Sequence, residues 1–153
     1  MAELNTITRT KIAQVAGSKA SGGSFNRSRV AIIDTPAAYT APAQNDTAGT
    51  ELYVPQGARI QLPVVLSCAA GAAGGTLSIG IRSARTKVAI DPTAVLNAAP
   101  INAAFNGPLN TGTKLVNGQY YTMPEDVELY LTFGGAAGTA NQAIRAEVSF
   151  VAP

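Results

Sequence analysis

Two neighbouring stretches in the middle of the chain alternate apolar and other side chains with a period of two. In residues 59–68 one side of the alternation is wholly apolar, and residues 76–82 alternate in the same way. Side chains of a strand point alternately to its two faces, so each stretch predicts a strand with one buried face. The small residues 69–75 that separate them predict a β-hairpin with a long Gly/Ala tip.

The C-terminal part of the chain repeats this pattern more strongly. Residues 127–133 and 144–150 alternate large apolar side chains with polar ones, and the Gly/Ala-rich residues 134–142 lie between them. We predict a second hairpin here, and we expect it to be the best-specified part of the core. A one-residue slip in either strand would turn its large side chains away from the core.

Shorter signals complete the prediction. Pro63 cannot donate to a strand ladder, so it predicts a bulge or an edge in its strand. Asp91-Pro92 predicts the start of a short helix over 93–98, with Asp as N-cap and Pro at the first helical position. Further strands are predicted at 29–34 (buried), 51–54 and 87–90, a hairpin about the Asn117-Gly118 turn over 113–123, and loops at 35–50 and 99–112.

These elements give about eight or nine strands in a chain of 153 residues. The fold class that they predict is all-β: an antiparallel β-sandwich, jelly-roll-like, with an extended N-terminal arm and at most one short helix. We predict two parts, a basic N-terminal arm and linker over residues 1–28 and a single sandwich domain over 29–153.

The composition leaves little catalytic chemistry. Charged residues make up 13% of the chain, about half the usual share. The chain has no histidine, which excludes Ser-His-Asp and Cys-His arrangements and zinc sites of the Cys/His type. Neither glycine-rich tip matches a phosphate-binding loop. We therefore predict no catalytic residue, no cofactor and no metal site.

Three smaller features are interpreted as ordinary structural features rather than as functional sites. Cys68 is the single cysteine and lies on the apolar side of its strand, which predicts a buried, inert thiol. The acidic cluster at 125–128 predicts a solvated turn. The basic group Arg82, Arg85 and Lys87 predicts a solvated loop, with contact to phosphate or an acidic protein surface as the alternative.

The distribution of charge is uneven. Residues 1–30 carry a net charge of +4, and the remaining residues carry −2, which gives the net charge of +2. A basic arm gains by lying on an acidic surface such as DNA, an acidic protein lattice or a membrane; an ordinary chain terminus is the alternative. The candidate contact residues of this arm are Arg9, Lys11, Lys19, Arg27 and Arg29.

Several segments resemble a known group of proteins. Residues 51–60 (ELYVPQGARI), the segment 75–80 (GTLSIG), the strand at 127–133 and the end 147–153 (EVSFVAP) are similar to segments of small virion proteins of tailed bacteriophages. The resemblance covers about residues 50–153 and points to the capsid decoration, or cement, proteins. Members of this group have jelly-roll-like folds and bind the outside of the capsid shell.

The resemblance implies a structural virion protein and not an enzyme. The implied partners are the major capsid protein and further copies of the chain, as a dimer or trimer, with no specific nucleic acid and no membrane. The implied location is the capsid exterior, after synthesis in the host bacterial cytoplasm. We expect the arm 1–28 and the loops near 35–50 and 99–112 to make the contacts. A tail-associated structural protein and a jelly-roll cell-surface or carbohydrate-binding module are the alternatives, although the chain has no Trp and only 6% aromatic residues for sugar stacking.

Overall fold

The computed structural model describes residues 28–61, 63–114 and 121–152, and all structural statements refer to these. They form nine β-strands: β1 (Ser28–Asp34), β2 (Thr47–Val54), β3 (Arg59–Ile60), β4 (Val64–Cys68), β5 (Thr76–Ser83), β6 (Ala89–Pro100), β7 (Phe105–Leu109), β8 (Val127–Gly134) and β9 (Ile144–Val151).

The strands form two antiparallel sheets. Sheet A has the order β1-β9-β4-β7, with β3 pairing to β9 as well, and sheet B has the order β2-β8-β5-β6. The connections along the chain pass from one sheet to the other, except that β5 and β6 form a hairpin within sheet B and β3 and β4 both pair with β9. This winding is that of a jelly roll. The predicted class, an all-β antiparallel sandwich, is confirmed.

The core lies between the two sheets and follows the alternation seen in the sequence. In β9 the residues at every second position are buried, and in β4 Val64, Leu66 and Cys68 are buried. The inward residues of β5 and β8 meet them from sheet B. Burial also raises the pKa of the Cys68 thiol, which keeps it protonated and confirms the prediction of a buried thiol.

Both predicted long-tipped hairpins are wrong. The strand at 64–68 pairs with β7 and β9 in sheet A, whereas 76–83 pairs with β6 and β8 in sheet B. In the same way β8 belongs to sheet B and β9 to sheet A. The small-residue segments 69–75 and 135–143 are therefore crossings between sheets about 10 Å apart. Alternation reports that one face of a strand is buried, but two alternating strands can meet face to face as well as side by side.

The predicted helix at 93–98 is also wrong, because these residues belong to β6. Asp91 does accept hydrogen bonds from the backbone N–H and hydroxyl of Thr93, at 2.9 and 3.1 Å, but it also accepts one from the Thr113 hydroxyl at 3.0 Å. The same residue types that cap a helix here stabilise a bulge, since the register of β6 against β5 shifts around Pro92. β6 is an edge strand, where a proline is tolerated.

The bulge predicted at Pro63 is confirmed. β3 and β4 both pair with β9, and between the pairs Ile60–Phe150 and Val65–Glu147 the chain has two more residues than the facing part of β9.

Other predictions are corrected in detail. The loop predicted at 99–112 contains the edge strand β7, and the loop predicted at 35–50 ends where β2 begins at Thr47. β1 is only half buried: Ala31 and Ile33 face the core, while Val30 and Ile32 are 52% and 45% exposed. Most of the hairpin predicted at 113–123, and all of the predicted arm but Ser28, lie outside the described residues.

Candidate interaction surfaces

The described residues hold no group of three or more His, Cys, Asp or Glu side chains that could bind a metal ion. Nor do they contain a helix that is both long and apolar enough to cross a bilayer.

The two ends of the sandwich differ in chemistry. We call one the basic end: it consists of the connections 55–58, 84–88 and the described parts of 110–126, together with the start of β1 and the end of β9. We call the other the Gln142 end: it consists of the connections 35–46, 69–75, 101–104 and 135–143. β1 runs from the basic end to the Gln142 end, a distance of roughly 20 Å for a strand of this length.

Positive charge is concentrated at the basic end. Six of the seven basic residues in the described ranges lie in the segments that form this end or within two residues of them, against three of the eight carboxylates. Arg145 alone, with the other five carboxylates, lies elsewhere. The six are Arg29, Arg59, Arg82, Arg85, Lys87 and Lys114. The chain also enters the sandwich here, at Ser28, directly after the basic residues of the N-terminal segment.

The β5–β6 hairpin projects its tip at the basic end. The Ser83 N–H donates to the Val88 carbonyl at 2.9 Å, and the Lys87 N–H donates to the Ser83 carbonyl at 3.0 Å, which closes a tight loop. The tip leaves Val88 65% exposed and Ile90 37% exposed, and Arg85 is exposed beside them. Val88 and Ile90 are exposed two positions apart where the edge strand β6 begins, and exposed apolar side chains that form a patch mark interaction sites more often than single ones do.

A buried carboxylate supports this tip. Glu128 is only 1% exposed, and it accepts hydrogen bonds from Arg82 Nε at 2.9 Å, Lys87 Nζ at 2.7 Å and the Glu51 N–H at 3.1 Å. The Arg82 hydrogen bond, helped by those from Lys87 and Glu51, outweighs burial and lowers the pKa of Glu128 to about 2. Lys87 also lies over the ring of Tyr53, 5.0 Å from its centre.

The Glu128 cluster corrects two predictions in part. The carboxylate at 128 is not part of a solvated turn, although Glu125 and Asp126 before it are exposed. Arg82 and Lys87 are ion-paired to Glu128, although the Lys87 side chain stays 45% exposed, and Arg85 is exposed as the solvated-loop interpretation predicts.

The Gln142 end is closed by neutral hydrogen bonds. The Gln142 side chain is buried, and its Nε2 donates to the carbonyls of Ala69 and Ile101, both at 2.7 Å. Its backbone carbonyl accepts from the Thr35 hydroxyl at 2.9 Å and the Tyr39 hydroxyl at 2.8 Å. One residue thus joins all four connections of this end.

The described parts of the predicted contact regions lie at different places on the sandwich. Of the five candidate arm residues, Arg29 lies exposed near the start of β1, and Arg9, Lys11, Lys19 and Arg27 lie outside the described residues. Ser28, the first described residue, lies at the basic end, whereas the loop 35–46 lies at the Gln142 end. The region 99–112 extends from one end to the other through β7.

The fold has counterparts among solved structures. No protein-family model matches the chain, and no curated protein matches it. A chain in the capsid of Ralstonia phage GP4 superposes with a TM-score of 0.64 at 15% identity, covering 83% of this chain and 85% of that one. A chain in the cyanophage Pam1 capsid asymmetric unit superposes with a TM-score of 0.54 at 18% identity, over 100% of both chains. At such identities the likeness shows a shared fold over most or all of the chain.

Sequence reasoning missed the exposed apolar residues. Val88 and Ile90 alternate as a strand start does, and Val30 and Ile32 belong to a run that predicted a buried strand. Each pattern is that of an ordinary strand. Only the absence of a covering neighbour among the described residues distinguishes these side chains from core positions, and that depends on the tertiary structure.

Proposed function

We propose that this chain is a structural protein of a phage virion that binds the outer surface of the capsid shell and reinforces it, as a decoration or cement protein. The observation that carries the proposal is the agreement of the fold, over most or all of the chain, with chains of two phage capsid structures. The segments that resemble decoration proteins support the finer assignment to the exterior of the shell.

The basic end is the surface that we assign to the shell. Exposed cations at Arg29 and Arg85 favour an acidic lattice, and Val88 and Ile90 supply apolar area beside them. The Glu128 cluster fixes the conformation of the tip, so little conformational entropy is lost on binding. The N-terminal segment leaves the sandwich at this end and can therefore reach the same surface.

Binding through this surface does not need to be strong at each copy. A shell presents many equivalent positions, and contacts between neighbouring copies on a lattice add to the contact of each copy with the shell. In this proposal the partner is the major capsid protein, and the loop 35–46 at the opposite end faces away from the shell. This replaces the expectation that both regions make contact.

The copy number in purified particles tests the function. We expect hundreds of copies per particle by quantitative mass spectrometry, because decoration follows the repeat of the shell. A dozen copies or fewer would indicate a tail or portal component instead. Absence of the protein from mature particles would contradict any structural role in the virion.

A pair of substitutions at equally exposed positions tests the surface. Ile90 at the basic end and Val65 on the outer face of sheet A are both 37% exposed. We expect Ile90→Ser to reduce attachment to undecorated shells, by about tenfold if the side chain is buried in the contact. Val65→Ser should bind normally. Equal binding by both variants would contradict the assignment of the basic end.

Removal of residues 1–15 tests the arm. We expect the truncated protein to keep its unfolding temperature and its circular dichroism spectrum but to bind shells more weakly. The weakening should be largest at low salt, where the charges of Arg9 and Lys11 are least screened. Normal occupancy of purified shells by the truncated protein would show that the arm makes no contact.

A further inference from the structure

In the part of the chain that the structure describes, three of the four sheet edges carry features that prevent pairing with another chain. The edges of sheet B are β2, which is bulged between Gly49 and Tyr53, and β6, which is bulged around Pro92. In sheet A the edge strand β7 contains Pro108. Bulges and prolines are the usual protection of an exposed edge. The fourth edge, β1, has neither, and all its residues pair with β9 in one unbroken register.

The hydrogen bonds between β1 and β9 show which backbone groups of β1 point away from β9. The Thr35 N–H, directly after β1, donates to the Ile144 carbonyl at 2.9 Å in the register of the β1–β9 ladder. Ladder bonds alternate along an antiparallel pair, so Ala31 bonds to β9, while the N–H and C=O of Val30 and Ile32 point away from it. Among the described residues no strand pairs with this side, and an open cleft of about 390 Å³ lies between β1 and β2.

The side chains beside these groups are large and apolar. Val30 is 52% exposed and Ile32 is 45% exposed, both on the outer face of sheet A. A regular edge with β-branched residues and free backbone groups is a template for a further strand. The sequence of β1 itself indicates which strand can pair with this edge.

We propose that β1 is a self-association edge, where the β1 strands of two copies pair antiparallel about a two-fold axis at Ala31. In this register Val30 lies opposite Ile32 of the second copy, and the two residues exchange both of their backbone hydrogen bonds. Their side chains then pack as a cross-strand β-branched pair on the outer face. The two A sheets become one continuous sheet, and the contact is self-complementary as a two-fold interface requires.

The charges of β1 favour this arrangement. Arg29 lies near the start of the strand, and Asp34, with a side chain 54% exposed, lies at its end. In the antiparallel register Asp34 lies opposite Ser28 of the other copy and Arg29 lies opposite Ile33, so no like charges meet, whereas parallel pairing in register would bring like charges together. The edge is thus self-complementary without a repulsive charge contact, and a second copy of the chain is the occupant that we assign to it.

The interface is small. Two paired seven-residue strands bury less area than a standard interface of about 1,600 Å², so we expect a dissociation constant in the micromolar range or weaker. The dimer should therefore form in concentrated solution or where copies are held side by side. The proposal goes beyond the capsid role and does not depend on it, because the purified protein can be tested alone.

Sedimentation and hydrogen exchange of the full-length protein over a concentration series test the proposal. We expect a monomer–dimer equilibrium below about 1 mM, with the Val30 and Ile32 amides protected only at high concentration. The Ala31 and Ile33 amides, which bond to β9, should be protected throughout. A monomer at every concentration, or a trimer, would overturn the proposal. Protection of Val30 and Ile32 that is independent of concentration would also overturn it, because the chain's own N-terminal segment would then occupy the edge.

Substitutions on the two sides of the strand sharpen this test. Val30→Pro removes an N–H that faces the open edge and leaves every bond to β9, so we expect a folded protein whose association is at least about tenfold weaker. Ile32→Lys should weaken association in the same way without a backbone change. Val65→Lys, at an exposed position of the interior strand β4, is the control and should dimerise normally. Unchanged association of the two β1 variants, or equal loss in the control, would refute the β1 interface.

Discussion

The two ends of the sandwich are stabilised by different kinds of interaction. At the Gln142 end a neutral, buried amide joins four connections, and none of its four hydrogen bonds involves a charge. At the basic end a buried carboxylate holds two cations whose side chains stay 21% and 45% exposed. The first arrangement closes an end against solvent, whereas the second fixes a projecting hairpin and keeps positive charge at the surface.

The two ends should therefore respond differently to pH, to salt and to substitution. Neutral hydrogen bonds keep their strength across pH and salt, while a carboxylate with two cations depends on its ionisation. The Gln142 end should respond most to the loss of a donor. The basic end should respond most to the loss of charge.

We expect the largest effect from Gln142→Glu. The substitution keeps the size of the side chain but replaces the Nε2 donor with an oxygen that faces the carbonyls of Ala69 and Ile101. We expect a loss of about 3 kcal/mol in the free energy of unfolding at pH 7, measured by urea denaturation. Acidification should reduce the loss, because the protonated carboxyl regains one donor. Gln44→Glu, at an exposed glutamine of the same end, should change the stability by less than about 0.5 kcal/mol.

Glu128→Gln is the reciprocal substitution at the basic end, and we expect a loss of about 1–2 kcal/mol at pH 7. The folded pKa of Glu128 is lowered from 4.5 to about 2. Its contribution is therefore fully present above about pH 4.5 and is lost as the pH falls toward 2. The stabilities of the wild type and the variant should converge over that window. A constant difference between them from pH 7 to pH 2.5 would contradict the role given to the charge.

Two tyrosines offer a smaller test of the same contrast. The Tyr39 hydroxyl donates to the Gln142 carbonyl at 2.8 Å, whereas the Tyr53 hydroxyl meets Lys87 Nζ at 3.3 Å on a side chain that is 52% exposed. We expect Tyr39→Phe to cost about 1 kcal/mol and Tyr53→Phe to cost less than about 0.5 kcal/mol, from thermal denaturation of both variants. The reverse order would mean that the basic end is held more tightly than the Gln142 end.

The smallest effect is expected where charges lie at the exposed side of the Gln142 end. Arg145 Nη1 lies 3.2 Å from Asp34 Oδ2, and both side chains are about half exposed. We expect Asp34→Asn to change the free energy of unfolding by less than about 0.5 kcal/mol, because water and salt screen such a pair. A change above about 1 kcal/mol in a denaturant titration would show that this end also depends on charge.

The site was harder to predict than the fold. The alternation of β8 located Glu128 on the outward side of its strand, where a carboxylate ordinarily meets water. Its partners Arg82 and Lys87 lie 46 and 41 residues away in the chain and reach it through the pairing of β5 with β8. Gly71 gives a similar case: a side chain at this position would overlap the Gln142 amide, so the residue is needed for a contact that no local pattern reveals.

The alternation of side chains was enough to predict an all-β chain and many residues of the core, because the period of two is a local property of an extended backbone. Ile60, Val64 and Leu66 are buried as the alternation predicts. The tertiary structure was needed to show which strands share a sheet, that 93–98 continue a strand and that no described strand covers the edge of β1. Those outcomes depend on which distant segments pack together. The alternation of a strand shows that one of its faces is buried, but it does not show whether the next strand of the chain pairs beside it or packs against it from the facing sheet.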